Sequence, residues 1–419
     1  MTKRTKDTYD VVVVGGGTAG ISAAIAAAAA GADVLLLERE MSFGGAAVHA
    51  LVPSFCGFCT SGDDWQQVVK GVGQDFLSRL PAFGLFNGPV GGFHRNSSGV
   101  MIVRQDPEIT KFIFDRMMEA SGADYLLGAR VIGTYMEKRS ILGVNATDDS
   151  GDFRIDASFF VDCTGDANLA FLAGSAMTFH SENVGSLVFR MGNVRRDADC
   201  SPEAIRTALQ CAEDCGETVP FRYGRILLNR DTGEGFGLMT ALEIPGLDSV
   251  VQTKTMQQGR KDVFILMDLL RRYLPGFEDA RLLETGSRLG YRESRRIQGE
   301  YTLIRDDVVR SVKHMDTSIA RGGWEAEMHR IGRDTEFVTE KNNDYFGIPL
   351  GALHPADTEN LWCAGRIISA DTLAASSIRV MGTGFATGQA AGIAAALKKT
   401  NAAHPEDVQR EMIRQGGLI

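Results

Sequence analysis

The chain predicts an α/β fold: a parallel sheet, discontinuous in sequence, joined to a second, mixed α+β domain. Three observations lead there. Tyr9-Asp10-Val11-Val12-Val13-Val14 is a β-branched run of strand length, followed by three glycines and the alanine-rich stretch Ile21 to Ala30. Val34-Leu35-Leu36-Leu37 repeats the apolar run immediately afterwards. From Asn360 the same style returns, with Leu361-Trp362-Cys363-Ala364, then glycines, then an Ala-rich helix to Leu397.

Taken in order, strand, glycine turn, helix and strand make one βαβ unit, with Gly31 as the helix C-cap and a right-handed parallel crossover. After Arg39 the pattern loosens into Gly/Ser-rich loops as far as Gly99. Asp106 to Ala120 has helical spacing, with Ile109, Phe112, Ile113, Met117 and Ala120 on one face. Strand-like pieces follow at Tyr125–Leu127, Arg130–Ile132, Ile141–Val144 and Phe153–Asp162, and the turn Thr164-Gly165-Asp166 opens another helix. The middle of the chain is mixed, with a charged helix at Lys261–Tyr273 and a long strand expected at Arg288–Ile304. Residues 1–50, 104–176 and 345–400 are therefore assigned to a nucleotide-type domain. Residues 51–103 and 177–344 form a substrate or cap domain, and 401–419 a C-terminal tail.

Composition narrows the function. The 419 residues carry a net charge of −9 without a long basic run, which argues against nucleic acid or an anionic membrane as partner. Lys3, Arg4 and Lys6 precede an apolar stretch, but Asp10 and the Gly15–Gly17 break interrupt any signal-peptide pattern. The run from Ile21 into Leu37 is broken by Gly31 and Asp33, so no membrane span is expected. Seven thinly spread cysteines read as a reducing, cytoplasmic setting. Forty-eight glycines point to tight turns and close backbone approach to a ligand.

Gly15-x-Gly17-x-x-Gly20 follows a strand and opens a helix, with Glu38 at the end of the next strand. Gly15 permits the tight turn, Gly17 lets backbone approach a diphosphate, and Gly20 brings helix and strand together. Thr18 and Ala19 lie in the helix's first turn, whose N–H groups and dipole suit phosphate, and Glu38 suits ribose hydroxyls. The pattern reads as a dinucleotide site, against a glycine-rich turn in an ordinary α/β fold, and FAD and NAD both use the unit. Gly44-Gly45 suits a loop passing along the longer cofactor. Gly382, Gly384, Gly388 and Gly392 leave too little chain for a second βαβ domain, so Met381-Gly382-Thr383 is read as a helix N-terminus aimed at a ring.

These residues, with Asp162-Cys163-Thr164-Gly165-Asp166, Arg292-Glu293-Ser294-Arg295-Arg296-Ile297-x-Gly299-x-Tyr301 and Ala364-Gly365-Arg366 through Asp371 to Gly392, resemble the FAD-dependent oxidoreductase family. Its members are relatives of the glutathione reductase and fumarate reductase flavin folds, and the resemblance spans nearly the whole chain. It implies a Rossmann-like FAD-binding domain with non-covalent FAD. The implied contacts are Gly15, Gly17, Gly20, Glu38, Arg39, Gly44, Gly45, Val131, Asp166 and Gly365, joined by Thr164, Gly165, Arg366, Asp371, Met381, Gly382 and Thr383 around the two turns and the late helix. His49 follows the glycine pair instead of preceding it, so covalent attachment through it is not expected. Ala364-Gly365-Arg366 stands where aromatic hydroxylases carry Gly-Asp.

Several residues are candidates for the chemistry. Arg292 and Arg295 suit a carboxylate or a hydride-transfer transition state, against internal salt bridging, which is favoured for Arg296. A neutral His329 suits proton removal, against a surface or structurally bonded histidine, and His354 is weighed in the same way. Cys56-Gly57-Phe58-Cys59 offers a flavin-coupled disulfide or, alternatively, small apolar lining; no metal site is read. The expected function is hydride transfer between a small organic substrate and FAD, with oxygen, a quinone or a carrier protein as electron acceptor. A thiol–disulfide reductase using Cys56 and Cys59, and a flavin subunit of a larger redox complex, are the alternatives. Homo-oligomerisation is left open.

Overall fold

A computed structural model describes residues 6–95, 99–338, 344–397 and 404–419. Lys3 and Arg4 lie outside the described residues, as do residues 398–400 and 401–403 at the expected boundary of the tail. The chain begins with β1 (Thr8–Val14), α1 (Thr18–Ala29) and β2 (Val34–Glu38), the βαβ unit read from the sequence. α2 (Pro107–Ser121) leads into β3 (Asp124–Leu127), β4 (Arg130–Glu137), β5 (Ser140–Asp148) and β6 (Gly151–Asp162). A mid-chain unit follows: β7 (Phe189–Gly192), β8 (Arg225–Asn229), β9 (Glu234–Leu238), α3 (Ser249–Tyr273) and β10 (Arg281–Thr285). The chain then returns with β11 (Leu361–Cys363) and α4 (Met381–Ala396).

The main sheet has the order β3-β2-β1-β6-β5-β4, with β11 also on β6. β3, β2, β1, β6 and β11 are mutually parallel, while β6, β5 and β4 form an antiparallel meander. β6 is long enough to do both: residues 151–156 pair with β5, and 160–162 with β11 on the same edge. This is the discontinuous α/β sheet the sequence predicts, its last strand supplied some 200 residues later. The mid-chain sheet, ordered β8-β9-β7-β10 and antiparallel, packs with α3 and the helix Pro202–Asp214 around its own apolar cluster.

Residues 51–103, expected in the cap, bury Phe55, Phe58, Val68, Phe76 and Val103 in the same cluster as α1, α2 and α4. Three expectations of local structure are corrected. The same segment holds a helix, Val72–Arg79, instead of continuous loop. Arg288–Ile304 is not a long strand; only Arg295–Ile297 is extended and paired, because its polar side chains are tied to several separate neighbours. On α2, Phe112 and Ala120 face solvent and the buried stripe is Thr110, Ile113, Phe114, Met117 and Met118. Phe112 instead meets the exposed Phe83 edge-on at 5.9 Å. The tail is anchored: helix Pro405–Arg414 buries Val408 and Met412, and Arg414 and Gln415 donate to the Ala29 and Ala26 carbonyls at the end of α1. The Ala29 carbonyl is one that a helix C-terminus leaves without an intrahelical donor, whereas the Ala26 carbonyl also accepts from Ala30 N at 3.0 Å.

Candidate functional site

The parallel strands end together, and a cavity of about 660 Å³ opens at their carboxyl edge. Open α/β sheets bind ligands at this edge, because helix N-termini and flexible turns converge there. Gly15, Gly17, Thr18, Ala19, Glu38, Arg39, Gly44, Gly45, Val131, Thr164, Gly165, Asp166, Gly365, Arg366 and Met381 all line it, as does Arg295. Gly20 is not on the wall. A β-carbon there would run into the Gly15 carbonyl oxygen, so Gly20 sets how closely α1 starts behind the turn. Gly15 has φ +103°, and a β-carbon on it would lie 2.5 Å from the Cys163 carbonyl oxygen.

The first turn of α1 carries no acidic residue, and its N-cap, Gly17, has no side chain to satisfy the free N–H groups. They face the cavity as an anion site. Glu38 is already engaged: Oε2 accepts from Gly16 N at 2.5 Å and Oε1 from Glu40 N at 2.8 Å. The fingerprint acid thus pins the glycine turn as well as offering its remaining lone pairs to the cavity. On the other side of β1, buried Asp162 accepts from Thr164 N, Thr164 Oγ1 and Ala170 N, shaping the second turn.

Asp166 and Arg366 join these turns to the late segment, with Arg366 Nη2 donating to Asp166 Oδ1 at 2.8 Å and Ser294 Oγ donating to the same oxygen at 2.8 Å. Burial by itself would raise the Asp166 carboxyl; the Arg366 guanidinium, the Ser294 hydroxyl and Arg39 outweigh it and hold the group below its usual range. Arg366 Nε is buried and, among the described residues, donates to nothing. Arg295 donates from Nη1 to the Asp166 carbonyl and Asn168 Oδ1, both at 3.2 Å, and stacks 4.1 Å over Phe171. It braces the second turn.

At the far end stands the N-terminus of α4, where Val380 provides no side-chain cap. Met381 and Gly384 reach the cavity, but Gly382 and Thr383 are turned under the loop of the two cysteines. A β-carbon on Gly382 would lie 2.5 Å from the Cys56 carbonyl oxygen, and one on Gly57 would lie 3.1 Å from Thr383 Oγ1. The C-x-x-C turn therefore covers one side of the helix end and leaves Met381 and Gly384 on the cavity. Both thiols are free, and burial pushes each up to about 12, so neither is a thiolate near neutral pH. Asp371 is not on the cavity wall either. It caps helix Thr372–Ile378 through Ala374 N (2.8 Å) and accepts from Arg305 N (2.7 Å).

Arg292 and His329 are brought together by Val184. Its carbonyl accepts from Arg292 Nη1 at 2.6 Å, and its N–H donates to the His329 carbonyl at 3.0 Å. His329 Nε2 lies 3.2 Å from Glu327 Oε1, and Nδ1 lies 3.2 Å from Thr335 Oγ1. Arg379 Nη2 meets Glu327 Oε2 at 3.3 Å and its carbonyl at 3.0 Å. Burial and the Arg292 charge lower His329 to about 4, leaving a neutral ring whose two nitrogens are both occupied. Glu327, for which burial acts upward, is held far below its usual range by His329, Arg379 and Arg292. Sequence reasoning passed over Glu327, which stands in no recognisable motif, and Arg379, although inside the Asp371–Gly392 stretch that carries the resemblance, meets Glu327 only through a long-range contact. His354 packs 4.6 Å from Trp362 and bonds the Glu359 carbonyl, away from the cavity.

Residues 10–416 match the model of a family described as FAD dependent oxidoreductase. The chain belongs to that family. Its cofactor is FAD, and the free N–H groups of α1, the glycine turn and the length of the cavity fit that molecule. Over 161 residues, 38% of this chain and 36% of the relative, it is 30% identical to a digeranylgeranylglycerophospholipid reductase of Haloferax volcanii. Over 158 residues, 34% of each chain, it is 32% identical to a probable electron transfer flavoprotein-quinone oxidoreductase of Escherichia coli. The match spans about a third of these curated relatives. A solved geranylgeranyl bacteriochlorophyll reductase-like protein of Thermoplasma acidophilum aligns over 98% of this chain and 84% of its own, at 14% identity and a TM-score of 0.49. Among the described residues no helix is long and apolar enough to cross a membrane, and no cluster of metal-ligating side chains occurs.

Proposed function

We propose that this FAD-dependent enzyme moves a hydride between a small organic molecule and its cofactor, the substrate lying between the late-helix end of the cavity and the mid-chain unit. FAD, when bound, supplies the two-electron acceptor. Gly15, Gly17, Thr18 and Ala19 hold its diphosphate, and Glu38, Arg39, Gly44, Gly45 and Val131 line the adenosine half. Thr164, Gly165, Asp166, Gly365 and Arg366 border the middle of the cofactor, and Met381 places the dipole of α4 toward the ring. Gly382, Thr383 and Asp371 act behind this surface by fixing the ends of their helices.

The observation that carries this reading is the single cavity running from the fingerprint turn to Arg379 and Met381, with Gly290, Tyr291, Leu247 and Gln252 of the mid-chain segment closing one side. Oxidation of the substrate would break a C–H bond, the hydride going to the cofactor, while the neighbouring O–H, N–H or C–H group gives its proton to solvent water. Arg379, on the cavity wall and paired behind it with Glu327, provides polar surroundings for that separation of charge. The electron transfer flavoprotein-quinone relative supports a quinone or carrier protein as the final acceptor, beside oxygen. Seven free cysteines support a reducing, cytoplasmic setting. We read 177–344 as the cap, and the remainder, including 51–103 and the terminal helix, as the cofactor domain.

Anaerobic mixing of the FAD-loaded enzyme with alcohols, amines and saturated acids tests the proposal. Bleaching of the visible flavin band by one class supports it. A yellow protein that no such compound bleaches, and that reduced FAD cannot return to yellow with their unsaturated counterparts, overturns it.

A further inference from the structure

The segment from Gly286 to Tyr291 belongs to the mid-chain unit yet is lodged against the cofactor domain. On one side Gly290 exchanges backbone hydrogen bonds with Ser186, donating at 2.8 Å and accepting at 3.1 Å. On the other, Arg288 N donates to the His49 carbonyl at 2.9 Å, and Ser287 Oγ donates to the same oxygen at 3.3 Å. Arg288 Nε also donates to Glu40 Oε1, an ion pair that crosses from one unit to the other. The fit is close. A β-carbon on Gly286 would lie 3.2 Å from the His49 carbonyl oxygen, and one on Gly290 would lie 3.3 Å from the Ser186 carbonyl oxygen. The segment cannot leave the cavity rim without breaking contacts made by both units.

Arg288, Leu289, Gly290 and Tyr291 all line the cavity. The Tyr291 ring packs against the apolar cluster of the mid-chain unit, and its hydroxyl makes no hydrogen bond among the described residues. Burial pushes that hydroxyl up to about 12, so near neutral pH it keeps its proton and is a donor. The charges that reach it are Asp166 and Arg366 on one side, and Arg288 and Arg39 on the other. Asp166 and Arg366 border the middle of the cofactor in the reading above, and Arg39 its adenosine half. Tyr291 therefore faces the stretch between them, the diphosphate.

We propose that the mid-chain unit is itself part of the FAD site: the Tyr291 hydroxyl donates to a diphosphate oxygen of the cofactor, and the Arg288–Glu40 ion pair positions the segment that carries it. The proposal rests on the placement of FAD along this cavity and deepens it. Arg288 and Glu40 keep 37% and 25% of their side-chain surface exposed, so solvent screens the pair and its own contribution is small. Glu40 Oε1 also lies 3.6 Å from Arg39 Nε, so one carboxylate ties the rim segment to the adenosine wall. Release of FAD then requires the Gly286–Tyr291 segment to lift.

The experiment follows FAD leaving the loaded enzyme after dilution, by the rise of free-flavin fluorescence. Tyr291→Phe keeps the ring packing and should speed release about 10-fold, the loss of one hydrogen bond to a charged oxygen. Arg288→Gln should speed it about 2- to 5-fold at low salt, and that difference should shrink above about 0.5 M salt, where the pair is screened. Arg288→Lys should keep part of the hold, and it keeps the test valid should Arg288→Gln fold poorly. The double variant should release FAD more slowly than the product of the single effects, because a loosened segment no longer presents the hydroxyl. Release from Tyr291→Phe at the wild-type rate, an Arg288→Gln effect that salt leaves unaltered, or effects that multiply in full overturn the proposal. So does a flavin midpoint potential shifted by Tyr291→Phe at unchanged release, which would put the hydroxyl at the ring. A wild-type protein that takes up no FAD defeats the underlying placement first, and is seen separately in its absorption.

Discussion

Replacing Gly392 by alanine should open the cofactor site from behind. In an unconstrained helix this exchange stabilises by about 1 kcal/mol, because alanine is the better helix former. Here the sign reverses. A β-carbon at 392 would lie 2.7 Å from the Ala23 carbonyl carbon and Cα, and nearer still to its oxygen; at Gly388 the same holds against Ala19. The obstructing atoms are backbone of a buried helix, so relief requires α1 and α4 to part by roughly 1 Å, a gap that forfeits a quarter to a half of each contact's attraction. Overpacking of this kind costs about 1–3 kcal/mol, and this site belongs at the upper end because no flexible side chain can yield. Net of the propensity gain, about 2 kcal/mol of destabilisation is expected. FAD affinity should fall with it, since Thr18, Ala19, Met381 and Gly384 on the same two helices line the cavity. Thermal unfolding of the FAD-loaded protein and titration of FAD into the cofactor-free form measure both effects. Once one substitution has parted the helices, Gly388→Ala should add less than its single cost. A higher melting temperature for Gly392→Ala, or strict additivity of the pair, would refute the packing argument.

Asp166 is held below its ordinary 3.8 in the folded protein, so its contribution to stability is complete above that value and is lost as pH falls through it. Asp166→Asn should flatten the acid limb of a stability–pH curve below about pH 4, and an unchanged limb would exclude the ion pair as its source. His329 is lowered from 6.5 to about 4, so its contribution is present above 6.5 and is lost between those values; His329→Gln should remove that part of the curve. Flavin reduction by substrate should likewise show no limb near pH 6.5 that His329→Gln abolishes. Cys56→Ser and Cys59→Ser should leave flavin reduction within about twofold, and a thiol reagent at pH 8 should label neither residue faster than exposed Cys211, because burial holds both thiols at about 12.

The cofactor end was legible because its signals are local. Strand, turn and helix from Tyr9 to Ala30 each have their own period, and Glu38 stands at the end of the next apolar run. The α2 N-terminus was equally plain, with Asp106 accepting from Glu108 N and Ile109 N. The substrate end was not, because nothing periodic links its parts. Arg292 and His329 meet through Val184, which is more than a hundred residues from either, and Glu327 acquires its meaning only from Arg379. The segment Arg288–Ile304 misled for a related reason. Alternation of its side chains looks like a strand, whereas each polar group there is claimed by a different neighbour: Ser294 by Asp166, Arg292 by Val184, Glu293 by Arg296 and Asn183 N. Tertiary pairing overrides β-pattern wherever side-chain bonds outnumber ladder bonds.

The same long-range assembly joins cofactor binding to folding. Besides the mid-chain residues 247–252 and 288–295, the cavity wall comes from three stretches of the cofactor domain, residues 14–50, 129–172 and 364–384, and the last closes the site only when β11 docks on β6 and α4 on α1. FAD that contacts all three binds the folded chain and not the unfolded one, so at a thousand times its dissociation constant it adds about 4 kcal/mol to stability. That sum exceeds the cost assigned to Gly392→Ala, and a saturating excess of FAD should therefore lift the variant's melting temperature above that of the cofactor-free wild type. That gain is expected only while the parted helices still bind the cofactor, so the FAD concentration it requires reports how much affinity the parting of α1 and α4 has cost.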